Sequence, residues 1–194
     1  MRKLVVSEFV TLDGVMQAPG GKDEDLDGGF AHGGWVPELW HDGVGESFFA
    51  LVQRVDTLLL GRRTYDGHAG AFENAPADDP FAQALNGLKK YVVSRTIIEP
   101  AWRNTTVIRD DVVGAVRALK SQEGKDILTD GSSQLVHALL AQDLVDELHL
   151  VTFPVIVGAG KRVFPEVAHA TFALDQVRAL SNGVVISHYT RSAR

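Results

Sequence analysis

Two arginines directly follow a run of leucines in the segment LLLGRRTYDG, which spans residues 58–67. Gly61 ends the apolar run, and Arg62, Arg63 and Thr64 come next. A guanidinium group can grip a phosphate through two parallel hydrogen bonds. A helix that begins near Arg63 or Thr64 would also point its free N–H groups at the same anion. Two solvated arginines in a loop would explain these residues equally well, so the segment needs support from elsewhere in the chain.

The segment YVVSRT, residues 91–96, carries the same kind of side chains after a second apolar strand. Here Ser94 and Arg95 follow the apolar residues. In an open α/β sheet, ligands bind at the edge formed by the carboxyl ends of the strands. Two neighbouring strand ends that each offer a hydroxyl and an arginine would form a small anion-binding pocket. Such a pocket suits the 2′-phosphate of an NADP adenosine, although a single polar strand exit is common.

The segment ILTDGSSQL, residues 127–135, is typical of a strand, a tight turn and the start of a helix. Gly131 follows Asp130 and allows the backbone to approach a ligand closely. Ser132 and Ser133 suit a helix N-terminus, where exposed N–H groups can receive a pyrophosphate. An ordinary capped helix start is the alternative interpretation.

Several other motifs are incomplete. DEDLDG, residues 23–28, has the spacing of the first half of an EF-hand loop, but Gly34 stands where that loop needs glutamate. The chain has no G-x-G-x-x-G fingerprint and no G-x-S-x-G elbow, and GAGK at 158–161 lacks the first glycine of a P-loop. The seven histidines show no close metal-ligand spacing. We therefore expect no metal site and no hydrolase serine.

Strands and helices alternate along most of the chain, which indicates an α/β domain with a mixed, mostly parallel sheet flanked by helices. Apolar runs predict strands at 3–12, 57–60, 90–94, 105–108, 126–129, 146–153, 172–180 and 184–190. Helical spacing of apolar residues predicts helices at about 46–55, 110–119 and 135–140, and polar residues predict a surface loop at 73–80. A Ser-Asn-Gly turn signal separates the last two strands, so we expect antiparallel C-terminal strands. No linker or repeat divides residues 1–194, which we interpret as a single domain.

The composition limits the function further. The 194 residues carry a formal net charge of -6 and are 45% apolar, as in ordinary soluble proteins. A net acidic chain gives no global support for binding nucleic acid or an anionic membrane. No stretch approaches the roughly 20 apolar residues of a membrane span, and the N-terminus lacks a signal-peptide core. The absence of cysteine excludes disulfides and thiol catalysis, and we expect a cytoplasmic protein with a small-molecule substrate.

Nine of the 19 glycines lie between residues 14 and 45, which predicts a long irregular loop. Such loops in compact domains are usually functional or mobile, and this one would act as a lid. Trp35 and Trp40 belong to the same segment. They would either cover a ring-shaped substrate or anchor the loop to the core, and the sequence does not separate these two roles.

TLDG after the first strand, LLLGRRTYDG, YVVSRT and the run at 129–164 together resemble one family, in this order along the chain. The chain is similar to the dihydrofolate-reductase-like superfamily, and more closely to the reductase domain of the riboflavin-pathway deaminase-reductase and its standalone relatives. The most specific piece is DLVDELHL followed by PVIVGAGKRVF. The resemblance spans nearly the whole chain and implies a dihydrofolate-reductase-like fold that binds NADPH at the carboxyl edge of its sheet.

Carried over position by position, the resemblance assigns the cofactor contacts to the three strand exits. Together with Asp130, which precedes the last turn, they are Gly61, Arg62, Arg63, Thr64, Ser94, Arg95, Gly131, Ser132, Ser133 and Gln134. Folate reductases usually carry a glycine pair in this turn, and Ser132 takes the second place here, which weakens the link to folate. The deaminase half of the riboflavin-pathway enzyme needs zinc-binding cysteines, which this chain lacks, so only reduction is implied.

Folate reductases also use an acidic residue on the helix before the glycine-arginine exit. Glu46 precedes Gly61 by 15 positions, near the spacing of that family. Glu46 would relay a proton or anchor an amino-pyrimidine, and Phe49, one helical turn on, would line the same pocket. The alternative is that Glu46 only stabilises the helix start, in which case Asp13 at the end of the first strand becomes the candidate acid.

The implied function is an NADPH-dependent reductase that transfers a hydride to a small heterocycle, either a pteridine or a ribosylamino-pyrimidine. A non-catalytic NADP(H)-binding module of the same fold is the alternative. The mostly apolar segment VTFPVIVGAGKRVF, residues 151–164, follows an alternating strand and would suit a contact between two copies of the chain. We therefore expect a homodimer.

Overall fold

An eight-stranded sheet forms the centre of the protein in the computed structural model, which describes residues 1–164 and 169–192. Its strands are β1 (Leu4–Thr11), β2 (Val55–Gly61), β3 (Lys89–Val93), β4 (Thr105–Ile108), β5 (Asp126–Asp130), β6 (Glu147–Phe153), β7 (Phe172–Ala179) and β8 (Val185–Arg191). The α-helices are α1 (Asp42–Arg54), α2 (Arg62–Phe72), α3 (Pro80–Gly87), α4 (Val112–Ser121) and α5 (Ser133–Ala141).

The strand order is β4-β3-β2-β5-β1-β6-β8-β7. The strands from β4 to β6 in this order pair in parallel, whereas β8 pairs antiparallel with both β6 and β7. This arrangement confirms the predicted α/β class, the mostly parallel sheet and its antiparallel C-terminal strands. Because the parallel strands point the same way, β1, β2, β3 and β5 all end at one edge of the sheet.

The helices cover both faces of the parallel part of the sheet. On one face, α4 and α5 pack with Leu4 and Val6 of β1 in a buried apolar cluster. On the other face, α1, α2 and α3 pack with Val5 of β1 and with Leu58 and Leu60 of β2. Alternate residues of one strand therefore enter different layers, as the two-residue period of a strand requires. None of the helices described is long and apolar enough to span a membrane.

Helix α3 follows the predicted loop at 73–80, in a stretch where apolar spacing gave no helix prediction. The carboxylate of Asp79 accepts a hydrogen bond from the N–H of Phe81 at 2.9 Å, and Pro80 occupies the first helical position. An aspartate cap followed by proline is a standard helix start. Capping residues rather than periodicity therefore identify this helix.

Helix α1 begins at Asp42, earlier than the predicted start at residue 46, so the loop predicted at 14–45 ends too late. His41 caps the helix, because its Nδ1 accepts a hydrogen bond from the N–H of Gly43 at 3.0 Å. Two glycines lie in the first turn, and glycine is a poor helix former in isolation. The two glycines favour a loop, but the packing of the buried Val44 against the core stabilises the helix at this position.

The remaining glycine-rich segment, residues 12–41, is an irregular loop tied to the core. It contains two short 3-10 turns, Asp27–Gly29 and Pro37–Leu39. Trp35 is buried, and its Nε1–H donates a hydrogen bond to the carbonyl of Gln17 at 3.0 Å. The loop therefore has a fixed anchor in its second half.

Candidate functional site

The carboxyl ends of β2 and β5 meet the first turns of α2 and α5 at one point. The Oγ of Ser132 accepts a hydrogen bond from the N–H of Gly61 at 2.8 Å and lies 2.8 Å from Thr64 Oγ1. A Cβ atom on Gly61 would stand 2.5 Å from Ser132 Oγ, and one on Gly131 would stand 2.9 Å from Thr64 Oγ1. Close packing therefore requires both glycines. Residues 61–64, 94–95 and 130–134, at the carboxyl ends of β2, β3 and β5, are called the carboxyl-edge site.

The turn before α5 has a left-handed backbone at two successive residues. Gly131 has φ +77° and Ser132 has φ +69°. Glycine adopts this conformation freely, whereas serine does so at a cost of about 1–3 kcal/mol. The N-termini of α2 and α5 bring N–H groups and partial positive charge to the same place, and Ser133 and Gln134 begin α5. The strained turn is thus shaped to present backbone donors to an anion.

Gly61 and Val93 are paired at the ends of β2 and β3, so Arg62 and Ser94 are the first residues after two adjacent strands. Ser94 is buried, and its hydroxyl accepts hydrogen bonds from two N–H groups of the following turn. Arg62 pairs with Asp66 at 2.8 Å one helical turn on. Arg95 lies 3.8 Å from Asp110 and is 84% exposed. Exposed ion pairs of this kind are weak, so both guanidinium groups are free to bind another anion.

Arg63 is bound to the glycine-rich loop in this structure. It donates to both carboxylate oxygens of Asp27, one of them at 2.7 Å, and to Asp25 at 3.1 Å. The Nζ of Lys161 lies 2.5 Å from Asp25 and 2.9 Å from Asp27. The hydrogen bonds from Arg63 and then Lys161 hold the pKa of Asp27 well below its usual range. These four side chains, called the acidic clamp below, join the glycine-rich loop to α2 and to the loop after β6.

A buried acid, Glu8, and a half-buried one, Asp130, lie at the base of the turn. Glu8 is 4% exposed, its Oε1 accepts a hydrogen bond from the N–H of Gly131 at 3.1 Å, and burial, then the nearby Asp130, raises its pKa well above the usual value. The Oδ2 of Asp130 lies 2.8 Å from His68 Nε2, and although burial disfavours the charged ring, Asp130 raises the pKa of His68. Among the residues that the structure describes, Thr129 Oγ1 and Asp130 Oδ1 are buried polar atoms without a hydrogen-bond partner. Such atoms are rare in native proteins and need a water or a ligand to explain them.

No motif in the sequence pointed to Glu8 or His68, whereas Asp130 was predicted. Glu8 does give a signal, since it stands inside the apolar run of the first strand, where a charged residue must be buried. His68 gives none, because it reaches Asp130 only through the packing of α2 on the sheet. The acidic residues at 23–28 have cation-site spacing, but the structure uses two of them to bind Arg63 and Lys161 instead.

The structure does not bring Glu46 and Phe49 into the predicted acid-and-ring pocket. The side chain of Glu46 is 67% exposed and lies 3.4 Å from Arg178 of β7. The ring of Phe49 packs against Phe81 of α3, with 6.3 Å between ring centroids. Residues three apart on a helix differ by about 60° in direction, and here this difference directs the two side chains to different elements. The acid expected at the cofactor therefore lies beside the edge strand β7.

Asp13 closes the loop after β6. Its carboxylate accepts hydrogen bonds from Thr11 Oγ1 at 2.6 Å and from the N–H of Gly158 at 2.9 Å. The hydrogen bond from Thr11, with smaller contributions from backbone N–H groups, lowers the pKa of Asp13. Asp13 is thus ionised at neutral pH, which suits a loop-closing acceptor and does not suit a proton donor.

The two tryptophans of the glycine-rich loop have different environments. Trp35 packs edge-on against Phe153, with 5.5 Å between ring centroids, so it anchors the loop. Trp40 is 49% exposed, and its ring lies over Gly45 at the start of α1. Of the two predicted substrate-covering rings, Trp40 alone has the exposure for that role.

A second polar region lies away from the carboxyl-edge site. A groove of about 730 Å³ separates α1 from β6, β7 and β8 and is called the α1 groove below. The buried carboxylate of Glu147 accepts hydrogen bonds from Lys3 at 2.6 Å and Arg54 at 2.8 Å, and it lies 2.9 Å from His188 Nε2. Burial opposes ionisation of Glu147, but these partners lower its pKa to about 2.

His149 lies on the wall of the same groove. Its Nδ1 is 3.1 Å from Ser7 Oγ, and its Nε2 is 2.9 Å from Ser47 Oγ. Burial, then the neighbouring His188, lowers the pKa of His149 to about 4. The ring is therefore neutral at physiological pH and links β1, β6 and α1 through two hydroxyl groups.

Known proteins match nearly the whole length of this chain. The uncharacterized protein YyaP of Bacillus subtilis (strain 168) is 29% identical over 188 residues, which is 95% of this chain and 92% of YyaP. Among solved structures, RibD of Acinetobacter baumannii matches with a TM-score of 0.70 and 13% identity, over 99% of this chain and 58% of that protein. These matches extend the similarity from sequence to fold.

A dihydrofolate reductase from Enterococcus faecalis, solved in complex with NADP(H), has the same fold. It matches with a TM-score of 0.63 and 17% identity, over 98% of this chain and 97% of that chain. The sequence profile of the RibD C-terminal domain matches residues 2–186. These residues include β1, both glycine turns of the carboxyl-edge site and the acidic clamp. The chain therefore belongs to the RibD C-terminal domain family, whose fold is dihydrofolate-reductase-like.

Proposed function

We propose that this protein is an NADPH-dependent reductase that transfers a hydride from the cofactor to a small heterocyclic substrate. The observation that carries the proposal is the meeting of the α2 and α5 N-termini at Ser132. Glycine at 61 and 131 lets the backbone close up there, and the two helix ends offer their N–H groups to a pyrophosphate. Membership of a reductase family and the NADP(H) complex of a structural neighbour support the same cofactor.

The residues of the carboxyl-edge site fit the two charged parts of NADPH. The pyrophosphate would lie on the turn at 130–134, where the backbone N–H groups at the start of α5 would donate to it. The adenosine 2′-phosphate would lie between Arg62, Ser94 and Arg95, where two weakly paired guanidinium groups are exposed. Arg63 would join them only by leaving the acidic clamp.

When bound, NADPH supplies the hydride, and the protein orients the cofactor and excludes water. Thr64 and Ser132 fix the spacing of the two helix starts that would flank the pyrophosphate. The acidic clamp holds the glycine-rich loop against α2, where the loop would cover the site. Exposed Trp40 would contact the substrate ring. A pteridine and a ribosylamino-pyrimidine both have the planar shape for such a contact.

A non-catalytic NADP(H)-binding module is the second candidate. One observation favours it, namely that neither acid expected to handle the proton is suitable in this structure. Glu46 lies beside Arg178, and Asp13 is held ionised in a loop. Both candidates predict NADPH binding, and only turnover separates them.

We also propose that two copies of the chain associate. Ile156 and Phe164 are exposed apolar residues in the loop after β6, and Leu174 and Val177 are exposed on the edge strand β7. A contiguous exposed apolar patch is typical of a contact surface, and these residues would form one if the loop and β7 face the same partner. Light scattering at micromolar concentration should give twice the mass of the 21.0 kDa chain. A species of single-chain mass at that concentration would contradict the homodimer.

The function is tested by offering NADPH with a panel of pteridines and ribosylamino-pyrimidines and following the absorbance of NADPH. Oxidation that depends on protein and on one substrate class would support the reductase. Tight NADPH binding without oxidation of any panel member would favour the binding module. Failure to bind NADPH would overturn both candidates.

A further inference from the structure

We propose that Glu8 is a positioning residue that supports the Gly131–Ser132 turn through a hydrogen bond, and that ionisation of its carboxyl group weakens cofactor binding at this turn. The inference rests on the proposed NADPH-binding function and concerns a residue of β1 that no motif assigned. It adds a control of cofactor affinity by pH to that function.

The geometry places Glu8 directly behind the turn. β1 and β5 pair in parallel with Ser7 opposite Asp130, so the next residue of β1 lies beside Gly131. The Oε1 of Glu8 accepts the hydrogen bond from the N–H of Gly131 at 3.1 Å. This bond orients the peptide group that leads into the left-handed Ser132. Glu8 thus supports the strained turn from inside the protein.

The surroundings of Glu8 disfavour its ionised form. The side chain is almost completely buried, and the nearest charged group is Asp130, which carries the same sign. The neighbouring residue on β6 is the apolar Leu150. His68 of α2 contacts Asp130 rather than Glu8. The titratable side chain of α5 is His137, which contacts the carbonyl of Arg162.

A neutral carboxyl group can accept the Gly131 hydrogen bond without adding charge. An ionised Glu8 would place a second negative charge beside Asp130, directly behind a turn that has to receive a pyrophosphate. Like charges at short range in a buried site repel strongly. Cofactor affinity should therefore fall as pH rises through the pKa of Glu8, because each bound cofactor then requires the uptake of one proton.

The experiment measures the dissociation constant of NADPH by fluorescence between pH 6 and pH 10, for the wild type, Glu8→Gln and Glu8→Ala. Glutamine keeps an oxygen acceptor and cannot ionise, so Glu8→Gln should bind NADPH within about threefold of the wild type at pH 6. At higher pH it should not show the loss of NADPH affinity that ionisation of Glu8 causes in the wild type. The wild type should lose up to about tenfold in affinity per pH unit above the pKa of Glu8. Glu8→Ala should bind about tenfold more weakly at every pH, because the Gly131 N–H loses its partner.

Titration of the cofactor phosphates and of His68 contributes equally to the wild type and to Glu8→Gln, so the difference between their profiles isolates Glu8. Parallel profiles for these two proteins would overturn the inference. Wild-type affinity in Glu8→Ala at pH 6 would also overturn it. If the wild type binds no NADPH at any pH, the proposed function fails first, whereas binding with parallel profiles contradicts only the role of Glu8. Circular dichroism melts confirm that each variant is folded.

Discussion

The carboxyl-edge site has the buried Glu8 directly behind it, and the α1 groove contains the buried Glu147, but the two carboxyl groups have opposite electrostatic surroundings. In the groove, Glu147 is surrounded by Lys3, Arg54 and His188, and its pKa is lowered to about 2. At the carboxyl edge, Glu8 has a backbone N–H as its partner and a like charge nearby, and its pKa is raised. The two environments therefore act in opposite directions, since one favours the ionised form of a glutamate and the other disfavours it.

The two regions differ in how far their polar groups already satisfy one another. The charged groups of the groove satisfy one another, so a ligand would have to break existing ion pairs. The carboxyl edge retains unpartnered Thr129 Oγ1 and Asp130 Oδ1 and a left-handed Ser132. Unsatisfied buried groups and backbone strain are tolerated mainly at functional sites. Changes at the edge should therefore alter cofactor affinity, and changes in the groove should alter folding stability.

The largest effect is expected for Gly131→Ala. The new Cβ would meet Thr64 Oγ1 at 2.9 Å, so the starts of α2 and α5 would have to separate. NADPH affinity should fall about 100-fold, since a misplaced turn loses several hydrogen bonds of about 1.5 kcal/mol or more to a charged group. Isothermal calorimetry measures the change.

The matched control is Gly183→Ala in the turn between β7 and β8. Gly183 has a similar positive φ of +88°, and its nearest neighbour, Pro154 Cγ, is at an ordinary contact distance of 3.5 Å. Both substitutions should lower stability by about 1–2 kcal/mol through the left-handed backbone. If Gly183→Ala weakened NADPH binding as much as Gly131→Ala does, the contrast between the two regions would be lost.

Glu147→Gln should show the reverse pattern in the α1 groove. Lys3 and Arg54 would lose a charged acceptor, and the free energy of unfolding should fall by about 1–3 kcal/mol, since both cations are half exposed and can be solvated. Urea titration measures this loss. NADPH affinity should stay at the wild-type value, and a tenfold weaker affinity would show that the groove belongs to the cofactor site.

The free energy of unfolding should depend on pH through the buried, neutral ring of His149. Its folded-state pKa of about 4 lies below that of an unfolded histidine, so the unfolded state binds the proton first as pH falls. Wild-type stability should decline between about pH 6.5 and pH 4, by at most about 1.4 kcal/mol per pH unit from this residue. His149→Gln keeps partners for Ser7 and Ser47 and should remove that part of the slope. An unchanged slope in urea titrations of the variant would contradict the burial of a neutral ring.

The smallest effect is expected at the acidic clamp. If Arg63 also binds a cofactor phosphate, Asp27 competes for it, and Asp27→Asn should tighten NADPH binding about two- to fivefold, the range of an exposed ion pair. Asp23→Asn, an exposed change in the same segment, is the control. Weaker binding in Asp27→Asn would mean that the clamp holds the loop in its binding position and that Arg63 does not bind phosphate.

The fold was predictable from sequence where the pattern is local. Continuous apolar runs separated by amphipathic spacing indicate buried parallel strands, and each predicted strand exists. Helix α3 and the start of α1 escaped detection because caps and tertiary packing define them, through Asp79, His41 and the buried Val44. A cap or a packing contact depends on one or two residues, so it is harder to recognise in a sequence than an apolar periodicity over about ten residues.

The candidate site was predictable only in part, for a related reason. Strand exits at Gly61, Ser94 and Gly131 converge because parallel strands share an edge, and the sequence shows where strands end. Side-chain directions are set by packing, so the sequence could not show that Glu46 would face β7. It also could not show that Arg63 would be bound by the loop at 23–28.

The most direct test of the account is the affinity of the wild-type protein for NADPH compared with NADH. The two cofactors differ in the 2′-phosphate, which would lie beside Arg62, Ser94 and Arg95. Charge-assisted hydrogen bonds contribute roughly 1.5–3 kcal/mol each before desolvation, so NADPH should bind at least about tenfold more tightly. Equal dissociation constants for the two cofactors would contradict the assignment of this edge of the sheet as an NADPH site.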